Sequence, residues 1–257
     1  WGISMLVEKD GLKVLLDGGQ GISAAHNADI LGIDPGKIDK IVLSHGHYDH
    51  TGGLRPLLRR MGKPVEIIAH PHIWEAKYSR RRGQADRYIG IPYRREELES
   101  LGARFTLRKG PLNINEDIMT SGEIPMTTPF EEISPNLQVK ENGTFRPDSL
   151  LDDQALIIRS AQGLVILLGC AHHGIINTVS HARRLTGVDK IHSVMGGCHL
   201  IGAPRERIEK TIGALKELEV AKIGVSHCTG LPAAGIMAQE FGERFFYNTA
   251  GTVTDID

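Results

Sequence analysis

The stretch Ser44-His-Gly-His-Tyr-Asp-His-Thr-Gly-Gly53 crowds three imidazoles and one carboxylate into six residues. It follows directly on an apolar run, residues 38–43, that reads as a buried strand. His45 and His47 lie two apart, so in an extended segment they point the same way. Asp49 and His50 follow where the chain turns toward a helix over 52–61, so the two pairs are expected to face different directions. One small cation does not easily take all four, whereas two neighbouring cations can. Each cation needs at least four ligands, water included, so the remainder must come from elsewhere in the chain.

The other histidines supply that remainder. Four apolar runs each stop at a histidine: 41–43 at His45, 164–168 at His172, 191–195 at His199 and 222–225 at His227. Ligands of α/β sheets gather at strand ends, where loops leave a rigid scaffold. Four such endings can converge although they are far apart in sequence. His70 also ends a strand, over 65–69, but Pro71 follows it, so a role beside a substrate and a plain surface role stay open.

Around these endings the chain alternates strand and helix signals. Residues 3–7 and 12–16 form a hairpin around Lys9-Asp10-Gly11, and 24–31 reads as a helix closed by Gly32 and Pro35. The last third repeats the pattern: a hairpin over 155–159 and 164–168, then helices over 177–185, 205–218 and 236–241 between strands over 191–195, 222–225 and 244–247. Two similar halves sharing one site are expected. Between them, 77–145 reads as an irregular, lid-like region: 77–108 is polar and arginine-rich with a short helix end at 98–101, and 111–145, broken by proline and glycine, reads as loops and short strands over one face.

Composition narrows the function. A net charge of −1 gives no electrostatic footprint for nucleic acid or an anionic membrane. No apolar run reaches the roughly 18 residues of a membrane helix. The chain starts on a strand without the layout of a secretion signal or an initiator Met, as if trimmed at its front. Three cysteines, an odd count, suggest a reducing, cytoplasmic location. All of them, Cys170, Cys198 and Cys228, lie within two residues of a candidate ligand, and read either as small packing thiols or as soft-metal ligands. Arg80, Arg81 and Arg82 could hold a substrate phosphate, or form a solvated face paired with nearby glutamates.

The H-x-H-x-D-H pattern, with "LLDGG" upstream and the later strand-end histidines, resembles the metallo-β-lactamase superfamily. His45, His47, Asp49 and His50 match its main motif, Asp17 the upstream aspartate, His172 in "GCAHHG" the third motif and His227 in "SHCTG" the last. The resemblance covers nearly the whole chain. It implies a single domain over 1–257 with a four-layer αββα sandwich and two divalent ions, zinc by default, with iron or manganese as alternatives. It assigns His45, His47 and His172 to one ion and Asp49, His50 and His227 to the other, with Asp49 also orienting a nucleophilic water. Asp17 fixes a ligand imidazole or, on the rival reading, caps a turn. Where most dinuclear members carry a bridging aspartate, this chain has Cys198-His199, and His199 is preferred as the ligand with Cys198 beside it.

The segments "LDDQAL", "TSGEIP", "HGIINT" and "GGCHL" narrow the resemblance. They look like the branch of 7,8-dihydropterin-6-methyl-4-(β-D-ribofuranosyl)aminobenzene 5'-phosphate synthase and its hydrolase relatives. The leading expectation is a dinuclear hydrolase acting on a phosphate-bearing or ester-like small molecule. The alternatives are the synthase reaction, in which an arylamine replaces water and diphosphate leaves, and a non-catalytic metal- or ligand-binding module. The expected partner is a small molecule, with neither nucleic acid nor membrane, and a homo-oligomer is left open. The related diiron oxygen reducers carry a glutamate where this chain has His47, and that chemistry is set aside. Asp152 and Asp153 match the branch motif without an account from the residues themselves.

Overall fold

The apolar runs become strands, and a computed structural model describing residues 1–256 groups them in two compact units. The first unit comprises Trp1–Lys109 and Ile133–Asp152; the second comprises Gly110–Glu132 and the chain from Asp153 onward.

In the first unit a five-stranded sheet places Met5–Lys9, Leu12–Leu16, Lys40–Val42, Val65–Ala69 and Ala103–Leu107 side by side in chain order. The first pair is an antiparallel hairpin with Lys9 opposite Leu12. Its two turn residues, Asp10 and Gly11, both have positive φ, the backbone that suits the right-handed twist of the flanking strands. The other pairings are parallel. Helix Leu54–Met61 turns Leu54, Leu57, Leu58 and Met61 inward, at helical spacing, onto a core that includes Ile41, Leu43 and Ile67. Pro56 is tolerated because it falls in the first turn, and Gly62 closes the helix in the left-handed conformation.

The helix read over 52–61 starts two residues later, at Leu54. A single turn, Tyr48–Thr51, is followed by a break at Gly52 and Gly53 before Leu54. The cause is a close backbone approach: Gly53 N–H donates to the Gly19 carbonyl at 2.9 Å. A Cβ on Gly53 would fall 1.9 Å from the Gly18 carbonyl oxygen.

The short strands expected in the lid-like segment pair into a sheet of their own. Thr144–Pro147, Leu137–Glu141, Lys77–Ser79 and Arg87–Tyr88 form an antiparallel sheet in that order, within the first unit. These strands have two to five residues, and Thr144–Pro147 and Arg87–Tyr88 bury none. An apolar alternation therefore had no length over which to show itself.

In the second unit seven strands lie in the order Phe245–Tyr247, Lys222–Val225, Ile191–Gly196, Gly163–Leu168, Ala155–Ser160, Ile118–Thr120 and Leu112–Asn113. Gly163–Leu168 is antiparallel to Ala155–Ser160 and parallel to Ile191–Gly196, and the strands beyond continue parallel. Every residue of Gly163–Leu168 and of Ile191–Gly196 is buried, which explains the unbroken apolar reading of the first; the second buries His192 and Ser193 as well. Each buried Leu, Ile or Val contributes about 1.5–3 kcal/mol. The connecting helices are Ile175–Thr186, Arg205–Glu217 and Leu231–Phe241. The last begins five residues before its apolar period, because exposed Leu231 and Gly235 blur its start. Both units thus carry a hairpin followed by parallel strands and helices.

Gly53→Ala tests the contact that separates Tyr48–Thr51 from helix Leu54–Met61. Gly53 has negative φ, so the cost is steric rather than conformational. The variant is expected to lose about 1–3 kcal/mol in chemical denaturation. A midpoint equal to that of the native chain would show that the loop yields freely.

Candidate metal centre

The strand Lys40–Val42 ends where Asp17 begins to act. Asp17 is fully buried and has a left-handed backbone, φ 60°. Its Oδ1 accepts the Ser44 N–H at 2.7 Å, and its Oδ2 accepts the Ser44 hydroxyl at 2.6 Å and His50 Nδ1–H at 2.7 Å. Because Ser44 gives its only hydroxyl proton to Asp17, its oxygen accepts from His45 Nδ1, 2.9 Å away. One carboxylate therefore places the protons of two imidazoles on Nδ1, directly for His50 and through Ser44 for His45. Both rings are left with an Nε2 lone pair, the form in which imidazole binds a metal.

Those lone pairs meet further donors. His45 Nε2 lies 2.9 Å from His47 Nδ1, and the His45 and His50 ring centroids are 4.2 Å apart. Asp49 Oδ2 lies 3.9 Å from His50 Nε2. The two pairs expected to face apart are adjacent, because the Tyr48–Thr51 turn brings His50 back beside His45. His47 is pushed down to about 3, first by burial and then by the Lys77 ammonium, against the pull of Asp49 and Asp152. It is neutral at physiological pH and able to donate a lone pair. Three imidazoles and a carboxylate with converging donors fit a divalent cation of the zinc, iron or manganese kind.

A second buried network holds the loop from the other side. Asp152 Oδ2 accepts the N–H of Gly46, the residue between His45 and His47, at 2.7 Å. Its Oδ1 takes Lys77 Nζ at 2.9 Å, and Lys77 bonds Asp148 Oδ2 at the same distance. Lys77 is fully buried. Burial alone would drive it toward the neutral amine; the two carboxylates outweigh that and hold it above its usual range. Asp152 was visible in the sequence as half of an unexplained doublet. Lys77 gave no signal, since its partners lie 71 and 75 residues away.

In the second unit His172 is buried and His199 half-buried, with ring centroids 4.3 Å apart. Asp153, the other half of the doublet, accepts the His173 N–H at 2.8 Å and so anchors the residue after His172. Glu131 accepts the N–H groups of Ile176 and Asn177 at 2.9 and 2.8 Å, capping helix Ile175–Thr186 from 45 residues away. His199 and His227 have left-handed backbones, φ 44° and 54°. Cys198 faces the hydrophobic core, and burial, with Cys228 next to it, pushes its thiol up to about 12.

The remaining candidates are placed elsewhere in the first unit. His70 is buried, and its Nδ1 accepts the His72 N–H at 3.1 Å, capping the turn Pro71–Trp74. Arg80 pairs with Asp86 at 2.8 Å and stacks 4.0 Å from the Phe145 ring centroid. Arg81 and Arg82 are exposed. Among the described residues no helix is long and apolar enough to cross a membrane.

Comparison with known proteins agrees with this chemistry. The family model of the metallo-beta-lactamase superfamily matches residues 3–152. A 7,8-dihydropterin-6-methyl-4-(beta-D-ribofuranosyl)-aminobenzene-5'-phosphate synthase of Methanocaldococcus jannaschii is 36% identical, over 98% of this chain and 88% of its own. An uncharacterized protein of the same organism is 31% identical, over 99% of this chain and 93% of its own. A solved structure described as a metal-dependent hydrolase of the beta-lactamase superfamily matches with a TM-score of 0.82 and 28% identity, over 97% of this chain and 93% of that one.

The buried lysine gives the loop a test independent of catalysis. Lys77→Met leaves Asp148 and Asp152 without their common cation and is expected to cost about 3–5 kcal/mol in urea denaturation. Burial already raises the Asp148 carboxyl above its unfolded value, and losing the ammonium removes the largest influence that opposes this. The deficit is then full at neutral pH and shrinks on acidification toward about pH 4. A deficit that is absent, or that grows on acidification, would contradict the clamp.

Proposed function

Because this chain belongs to the metallo-beta-lactamase superfamily and has its mixed α/β fold, we propose that it is a metal-dependent hydrolase of a phosphate-bearing or ester-like small molecule. The observation that carries this reading is the donor set of His45, His47, Asp49 and His50, with His47 held neutral and the set oriented by Asp17. The proposed ligands are His45, His47 and His172 for one divalent ion, and Asp49, His50 and His227 for a second, with His199 beside it. Zinc is the default for so imidazole-rich a set, with iron and manganese as alternatives.

When bound, such an ion polarises a substrate oxygen and lowers the pKa of water from 15.7 toward about 7. The protein's part is orientation. Asp17 and Ser44 keep the His45 and His50 protons on the nitrogens turned from the donor cluster. Asp152 fixes the peptide between His45 and His47, so both rings keep their aim. Asp49, whose carboxylate is partly exposed, is proposed to orient the attacking water and accept its proton. The raised Cys198 thiol stays protonated in the core, which supports His199 as the ligand of that pair.

A second reading is favoured by the 36% identity to the synthase over nearly the whole chain. In that reading an arylamine takes the place of water and diphosphate leaves from a pterin methyl diphosphate. Metal-loaded protein separates the two. Diphosphate released only when the arylamine acceptor is present supports the synthase; acceptor-independent turnover of phosphate or other esters supports the hydrolase. If neither substrate class turns over, the chain is a binding module. In either enzyme reading His172→Ala is expected to lower metal content and rate together. Full metal content at the native rate would remove His172 from the ligand set.

A further inference from the structure

The proposed reaction uses none of the three thiols. Two of them belong together within the second unit. The Cys170 and Cys228 sulfurs and one His227 ring nitrogen all lie within 4.8 Å of one another. We propose that Cys170, His227 and Cys228 form a binding site for a thiophilic cation such as Cd2+, Cu+ or Zn2+.

Tetrahedral donors at zinc–sulfur and zinc–nitrogen bond lengths stand roughly 3.5–3.8 Å apart. The set therefore needs a contraction of at most about 1.3 Å to close on an ion. The backbone already prepares it. Gly197 has no side chain where a Cβ would lie 2.7 Å from Cys228 Sγ and 2.5 Å from the Gly169 carbonyl oxygen, so only glycine leaves the thiol its place. The His199 N–H donates to Cys228 Sγ at 3.3 Å and fixes its direction. Cys228 Sγ in turn reaches the Cys170 carbonyl at 3.8 Å. His227 is half-buried, which leaves an approach for a fourth ligand from solvent.

Two sulfurs and one imidazole make a softer set than the imidazoles and carboxylate around His45, so the two sites sort cations by softness. Both thiols ionise on binding, releasing protons to solvent, and affinity rises with pH. His227 is also a proposed ligand for the reaction, so a thiophilic ion seated here withdraws it. The site stands on the geometry of the second unit alone and survives if the hydrolase reading fails.

The test uses the full chain, stripped by chelation and titrated with Cd2+. The expected result is a thiolate-to-cadmium charge-transfer band in the ultraviolet that saturates at one ion per chain. The band persists in Cys198→Ser and in His45→Ala/His47→Ala, and is lost in Cys170→Ser/Cys228→Ser. A band that survives the Cys170→Ser/Cys228→Ser change, or vanishes in Cys198→Ser, overturns the proposal. 113Cd NMR of the native chain guards against a misfolded variant: a resonance typical of two sulfur ligands supports the site, and one typical of oxygen and nitrogen alone overturns it.

Discussion

Asp17 has no access to water, so its lone pairs must be satisfied by the protein. They accept two bonds from Ser44 and one from His50. A buried carboxylate with that many charge-assisted donors is strongly held. What depends on it is the direction of two imidazole lone pairs more than the stability of the sheet. The strand Lys40–Val42 delivers Ser44 to the carboxylate, and the Tyr48–Thr51 turn delivers His50. The parallel sheet and that turn are, from this viewpoint, the means by which one acid reaches two histidines.

The doublet Asp152-Asp153 extends the same logic. Asp152 closes the first unit and holds Gly46; Asp153 opens the continuation of the second and holds the N–H of His173. Neighbouring carboxylates thus bind the backbone of two histidine-bearing loops that are far apart in sequence. Each bond leaves the imidazoles untouched and fixes the peptide that carries them. Lys77 makes the first bond tolerable, since without a cation Asp152 and Asp148 would be two buried carboxyls competing for the same space.

Much of this was legible in the sequence because it is written in local patterns. Strands such as Gly163–Leu168 are buried along their whole length, and their histidine endings stand out against unbroken apolar runs. The tight run from His45 to His50 needs no distant information to be seen. The Lys77 clamp has no local signature: a lysine at the head of a three-residue strand looks like any surface lysine until its partners are brought to it. The small sheet around Leu137–Glu141 was hidden for a related reason, since strands so short and exposed carry no periodicity. The Gly52–Gly53 break was missed because its cause is the backbone of Gly18 and Gly19 on another part of the chain.

The left-handed backbone at Asp17, His199 and His227 has a consequence for how such a site can change. Aspartate, asparagine and histidine enter that conformation far more readily than branched or bulky residues do. A loop bent in this way therefore narrows its own substitutions toward glycine and short polar side chains, several of which carry a metal-binding or proton-holding atom. The histidine at position 199, where an aspartate was expected to bridge, is an exchange within that permitted set. The bend it occupies accepts an aspartate or a histidine without a change of chain path.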